Sequence, residues 1–225
     1  MTDTPSPFTN AAAVSTYAED ALRKVPGLGD LHRMATLLLG EHATGQGHIL
    51  VLGAGGGLEL QAMAAARPDW RFTGVDPAPA MLDLARKAIA PFADRVELVE
   101  GMIDAAAPGP FDGATCLLVL HFLDRDERLR TLREIRRRLK PGARLVIAHH
   151  APPAEHRPLW MARSVLFGDR GGDDRQRAMA SAATMLERLP LLDPAQEETV
   201  LAEAGYRDIA LIYAALSFRG WVATA

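Results

Sequence analysis

Short, continuously apolar segments alternate with amphipathic helical patterns from residue 48 to the end of the chain. His48 to Leu52 and Ala114 to Leu120 are two such segments, and a strand that is apolar along its whole length is typical of a sheet covered on both faces. Strands that alternate with helices form parallel βαβ units. The pattern therefore predicts an α/β fold, a Rossmann-like, doubly wound and mostly parallel sheet of seven strands.

The last two predicted strands, Asp208 to Tyr213 and Leu216 to Val222, have almost nothing between them. A parallel crossover needs a dozen or more residues, so only a tight hairpin fits this gap. The sequence therefore predicts that the last strand runs antiparallel to its neighbour.

Two regions lie outside the alternation. Residues 1–44 are predicted to form an N-terminal helical extension, with a disordered leader over residues 1–10. Residues 45–225 are predicted to form the main domain. Within it, prolines and a polar stretch set apart residues 151–190, which we interpret as a lid-like insertion with a helix from Arg177 to Leu189. Apolar side chains in this insertion fit the lining of a site, and a core or dimer contact explains them equally well: Trp160, Met161, Leu166 and Phe167.

The composition excludes several classes of protein. A chain of 225 residues with 48% hydrophobic residues can bury a core without a disulfide or a metal. Its one cysteine, Cys116, excludes an internal disulfide and a zinc site built on several thiolates. A net charge of −3 does not favour nucleic acid or anionic membranes, and no apolar run approaches the roughly 20 residues that span a bilayer. We expect a cytoplasmic protein, with a homodimer left open.

A cluster of glycines, Gly53-Ala54-Gly55-Gly56-Gly57, follows the first strand and begins a helix. Glycine there allows a sharp turn and a close approach of a ligand to the main chain, although a tight turn without a ligand is the alternative. The spacing is G-x-G-x-G, which fits neither the dinucleotide fingerprint nor a P-loop. Asp76 ends the second strand about 20 residues further on, where a carboxylate can accept hydrogen bonds from a ribose. Asp76 could also cap the next helix, and both roles could hold at once.

These segments, taken in order, resemble the class I S-adenosylmethionine-dependent methyltransferases. Two short stretches, Val14 to Leu31 and Phe218 to Ala223, are similar to the bacterial branch that includes the carboxy-S-adenosylmethionine synthases. The resemblance to the wider family rests on residues 49–57, 74–76, 81–82, 111–112, 120–123 and 139–142.

The resemblance implies S-adenosylmethionine as the cofactor. Gly53 and Gly55 would line its methionine part, and Asp76 would hold its ribose. The family usually has an acidic residue where Met102 stands, so Asp104 or the main chain would have to recognise the adenine edge. The implied cofactor-binding residues are Tyr17, Arg23, Gly53, Ala54, Gly55, Asp76, Pro77, Met81, Gly101, Met102, Ile103, Asp104, Leu118 and Leu120. Arg23 would pair with the cofactor carboxylate if its helix folds over the site, and a solvated surface arginine is the alternative.

Methyl transfer is an in-line displacement in which the enzyme mainly aligns the reactants, and a general base is needed only for a protonated acceptor. His121, His149 and His150 follow the predicted fourth and fifth strands at the ligand-binding edge, so they are the candidate bases, with packing roles as the alternative. No metal site is predicted. We therefore expect a methyltransferase for a small-molecule acceptor. A cofactor-modifying enzyme similar to carboxy-S-adenosylmethionine synthase and a non-catalytic binding module are the alternatives.

Overall fold

The computed structural model describes residues 17–169 and 172–225, with only the backbone of residues 17 and 18. One seven-stranded sheet has the order β3-β2-β1-β4-β5-β7-β6. All neighbouring strands are parallel except that β7 runs antiparallel to β5 and to β6. The predicted fold class and the antiparallel last strand are confirmed. The strands are β1 His48–Leu52, β2 Arg71–Asp76, β3 Val96–Glu100, β4 Phe111–Leu117, β5 Leu139–His150, β6 Arg207–Ala215 and β7 Phe218–Thr224.

Helices cover both faces of this sheet. Along β1, Leu50 and Leu52 belong to the core on one face, and Ile49 and Val51 belong to the core on the other. Burial on both faces explains why this strand is apolar at every position. The helices in the described part of the chain are α1 Tyr17–Lys24, α2 Leu28–Gly40, α3 Leu58–Ala66, α4 Pro79–Ala88, α5 Arg125–Arg138, α6 Arg157–Gly168, α7 Arg175–Arg188 and α8 Pro194–Glu203.

The N-terminal extension is described from residue 17 onward. Its helices α1 and α2 are separated at Pro26-Gly27, and Gly27 has a φ of 66°. The predicted leader over residues 1–10 lies outside the described residues. The division of the chain at residue 44 stays a prediction.

The insertion at residues 151–190 contains two helices, α6 and α7, whereas the sequence predicts only the second. Pro158, one of the prolines that set this segment apart, does not interrupt a helix but lies in the first turn of α6, where a missing N–H needs no partner. The two helices share a small apolar core of their own, which includes Met161 and Ala182. No described helix is long and apolar enough to cross a membrane.

Candidate functional site

The glycine cluster forms a loop at the carboxyl end of β1. Gly53, Gly55 and Gly57 have φ values of 79°, 48° and 81°, a region that other residues rarely adopt. A Cβ at Gly53 would overlap the side chain of Val119, and one at Gly57 would lie 2.9 Å from the Cα of Ala85. The shape of the loop therefore requires glycine at these positions.

Asp76 fastens this loop to the end of β2. Its Oδ2 accepts a hydrogen bond from the Gly55 N–H at 2.9 Å, and its Oδ1 accepts one from the Ala78 N–H at 2.9 Å. Helix α4 is capped by Ala78, so Asp76 stabilises the turn before the helix and does not cap the helix itself. Burial raises the pKa of Asp76, and the two N–H groups oppose that shift. A carboxylate offers about four acceptor positions, so two remain for a ligand.

An apolar cavity of about 250 Å³ opens at the ends of β1, β2 and β4, and Pro77, the residue after Asp76, lines it. Its walls are apolar apart from one threonine and main-chain groups, a lining that suits a flat heteroaromatic base. The lining residues that the sequence singled out are Gly53, Pro77, Gly101, Met102 and Ile103. The segment from Leu118 to His121 is predicted to run beside the cofactor, and Val119 of that segment lines the cavity. Four further lining residues are not singled out by the sequence, because their elements meet at this cavity only in the folded chain: Leu52, Phe122, Leu123 and Thr131.

Met81, Leu120 and Asp104 are among the predicted cofactor residues that do not line that cavity. Met81 and Leu120 are buried. Asp104 is exposed and its Oδ2 accepts a hydrogen bond from Arg130 at 2.9 Å. The cofactor roles of these three residues stay predictions.

A much smaller cavity, about 30 Å³, lies against the glycine loop where helices α1, α2 and α3 meet the end of β4. Ala54 and Leu118 from the predicted set line it, as does Gly53. Glu59 and His32 also line it, and neither was singled out from the sequence. Burial raises the pKa of Glu59 to about 8, with the Thr115 hydroxyl opposing that shift, and burial lowers the pKa of His32 to about 4.

The largest of these three cavities, about 490 Å³, lies between α1, α6, α7 and the adjoining ends of β5 and β7. Arg23 and Lys24 of α1 line it, and both donate to Asp20, at 2.7 Å and 2.9 Å. Arg177 of α7 and His150 of β5 line it as well. The side chain of Tyr17 lies outside the described part, so its predicted cofactor role stays a prediction, as does that of Arg23.

His150 is held in place inside the largest cavity. Its Nδ1 lies 2.7 Å from the Ser217 hydroxyl, which lies 2.6 Å from the Ser164 hydroxyl, and its ring stacks on Phe218 with 3.9 Å between centroids. Burial, with a smaller contribution from His149, lowers the pKa of His150 to about 3. The imidazole is therefore neutral near neutral pH, and Nε2 is the nitrogen left to meet a ligand.

The other two candidate histidines are buried away from the cavities described above. Burial first, and then the nearby histidines and Arg128, hold the pKa of His121 well below its ordinary value. The Nε2 of His149 lies 2.8 Å from Glu197 Oε1, which also pairs with Arg128. Neighbouring residues on a strand point to opposite faces, so of His149 and His150 only His150 lines the largest cavity. Catalytic roles for all three histidines stay predictions.

In the part of the chain that the structure describes, no group of three or more His, Cys, Asp or Glu side chains is arranged to hold a metal ion.

Comparison with known proteins finds relatives for both the sequence and the fold. Residues 50–145 match the family described as a methyltransferase domain. A carboxy-S-adenosyl-L-methionine synthase of Chromohalobacter salexigens is 27% identical over 217 residues, which cover 93% of this chain and 80% of that protein.

Solved structures share the architecture at lower sequence identity. A candidate O-methyltransferase of Nostoc punctiforme has a TM-score of 0.69 and 19% identity, over 96% of this chain and 60% of that one. Human N-acetylserotonin methyltransferase, solved in complex with S-adenosylmethionine, has a TM-score of 0.67 and 17% identity, over 96% of this chain and 57% of that one. The chain thus spans about 60% of the length of these two proteins, and the likeness to them establishes a shared fold.

Proposed function

Because this chain has the class I S-adenosylmethionine-dependent methyltransferase fold and a matching methyltransferase domain at residues 50–145, we propose that it binds S-adenosylmethionine and methylates a small-molecule acceptor. One observation supports this most strongly. The Asp76 carboxylate holds the glycine loop through Gly55 and keeps two acceptor positions, and the next residue, Pro77, lines an apolar cavity.

The residues present fit this cofactor. The two remaining acceptor positions of Asp76 suit the two ribose hydroxyls, and the cavity bounded by Pro77 and Met102 suits the adenine. The glycine loop brings main-chain groups close to the methionine part. When bound, the cofactor supplies a methyl group already activated by a sulfonium, so the chain needs to align the acceptor and exclude water.

The largest cavity is the proposed acceptor site. His150 reaches it from the end of β5, and the Ser217 and Ser164 hydroxyls fix the orientation of the imidazole. In the neutral imidazole, Nδ1 is hydrogen-bonded to Ser217, and Nε2 can accept a hydrogen bond from a hydroxyl or amine of the methyl acceptor. Helices α6 and α7 cover this side of the cavity, which favours exclusion of water.

Calorimetry tests the cofactor assignment directly. We expect S-adenosylhomocysteine to bind the full chain with one site, and NADPH to give no binding heat, because the loop lacks the dinucleotide fingerprint. Binding of NADPH with no heat from S-adenosylhomocysteine would reverse the proposal in favour of a nicotinamide-dependent enzyme.

A second candidate function is modification of the cofactor itself, as the name of the Chromohalobacter salexigens relative describes. That relative matches over 93% of this chain, so its likeness extends well beyond the methyltransferase domain. Both candidate functions use the same adenosyl site and differ in the molecule made there.

Mass spectrometry of the ligand that co-purifies with the chain separates the two candidates. A methyltransferase is expected to carry S-adenosylmethionine or S-adenosylhomocysteine. A ligand heavier than S-adenosylmethionine by the mass of one carbon dioxide would favour the carboxy-S-adenosylmethionine candidate instead.

A further inference from the structure

One carboxyl group in the small cavity beside the glycine loop has no role in the site described above. Glu59 is only 6% exposed, and its Oε1 makes no hydrogen bond within the described residues. Leaving a buried polar group unpaired costs about 1–3 kcal/mol. A ligand N–H group that donated a hydrogen bond to this oxygen would therefore remove that cost.

The electrostatic surroundings of Glu59 would tolerate a positive charge beside it. His32 of α2 lines the same cavity as Glu59, and Cys116 of β4 interacts with Glu59 electrostatically. Burial keeps both uncharged near neutral pH, and the only other group that acts on Glu59 among the described residues is the neutral Thr115 hydroxyl. Glu59 lies in the first turn of α3, where the helix dipole stabilises a carboxylate. Burial raises the pKa of Glu59 to about 8 in the free protein, so a cation that entered the cavity would shift the carboxyl toward its ionised form.

The position of the small cavity indicates which part of an adenosyl ligand would reach Glu59. Gly53 of the loop lines both this small cavity and the apolar cavity. Ala54 of the loop and Leu118 after β4 also line the small cavity. A ligand with its base in the apolar cavity would therefore bring its far end toward Glu59.

We propose that Glu59 binds a primary ammonium group, the one at the amino-acid end of an adenosyl ligand. This rests on the proposed function and adds a residue to the same site. An ammonium group has three N–H donors, and the cavity offers it a carboxylate together with main-chain groups of the loop.

Two ligands that share the adenosyl thioether test the proposal. S-adenosylhomocysteine carries the amino acid, and 5′-deoxy-5′-methylthioadenosine lacks it. We expect Glu59→Gln to weaken binding of S-adenosylhomocysteine 10- to 100-fold in calorimetry and to change binding of methylthioadenosine by less than threefold. Glu41→Gln, on an exposed side chain at the end of α2, is the matched control and should leave both affinities unchanged.

The outcomes are distinguishable. Equal effects of Glu59→Gln on both ligands, or no effect on either, would overturn the proposal and leave the proposed function standing. A wild-type chain that binds neither ligand would overturn the proposed function and this inference with it.

If Glu59→Gln does not fold, a second experiment takes the place of the affinity measurement. It measures the protons that the wild type releases when each ligand binds, at pH 7 in buffers of different ionisation enthalpy. Release with S-adenosylhomocysteine and not with methylthioadenosine is expected, and equal release with both, or no release with either, would overturn the proposal.

Discussion

Asp76→Ala is expected to lower the affinity for S-adenosylhomocysteine by a factor of roughly 100 to 10,000. Each hydrogen bond to a charged group contributes about 1.5–3 kcal/mol, so losing two ribose contacts costs about 3–6 kcal/mol. The substitution also frees the N–H groups of Gly55 and Ala78, which the carboxylate now holds at 2.9 Å each. A more mobile glycine loop is expected to lower the affinity further.

Calorimetry measures this effect, and Asp83→Ala is the matched control. Asp83 is exposed on α4, seven residues after Asp76, and pairs with Arg86 at 2.5 Å on the surface. Its removal should change the affinity by less than twofold, because surface ion pairs contribute little. Wild-type affinity in a folded Asp76→Ala chain would show that the ribose does not bind there, and circular dichroism checks that the variant is folded.

The regular part of the fold could be predicted because its signal is local. A strand buried on both faces must be apolar at every position, and the segment Ile49 to Leu52 shows this directly. The short gap before Phe218 likewise determined the direction of β7, because no crossover fits between β6 and β7.

The end of β4 could not be predicted in the same way. The sequence predicted a strand through Leu120, but β4 ends at Leu117, and Leu118 turns the chain with a φ of 61°. Nothing in an apolar run marks a residue with positive φ. This turn places Val119 and Phe122 in the wall of the apolar cavity.

Functional residues of the site could be predicted only where a residue type stands at a fixed spacing from the end of a strand. The glycine loop and Asp76 meet that condition. Glu59 does not, because a glutamate in a helical pattern is expected to face solvent, whereas in the folded chain Glu59 is buried.

A buried ionic group that joins α5, α8 and β5 was also invisible in the sequence. Arg128 and Glu197 lie 69 positions apart, and neither they nor His149 is exposed to solvent. The second guanidinium nitrogen of Arg128 donates to the carbonyls of Leu123 and Pro190, at 3.0 Å and 3.2 Å. The group therefore ties two helices and two loops to the end of the sheet that carries His149 and His150.

Glu197→Ala is expected to lower the free energy of unfolding by about 3–5 kcal/mol, because it leaves the charge of Arg128 buried without its partner. Urea denaturation measures the loss as a lower midpoint at an unchanged slope. Glu203→Ala is the matched control on the same helix. Glu203 pairs with Arg125 at the surface, so its removal should cost less than about 1 kcal/mol.

The pH dependence of stability tests the same interaction with Glu197→Gln. Burial alone would raise the pKa of Glu197, but His149 and Arg128 outweigh it and hold the pKa below its ordinary value of 4.5. A carboxyl whose pKa is lowered by folding stabilises the protein above its unfolded pKa and loses that contribution as the pH falls through the folded value. The difference in unfolding free energy between wild type and Glu197→Gln should therefore be largest near neutral pH and narrow below about pH 4.5. A difference that stays constant from neutral pH to acid would show that the ionised carboxylate does not stabilise the fold.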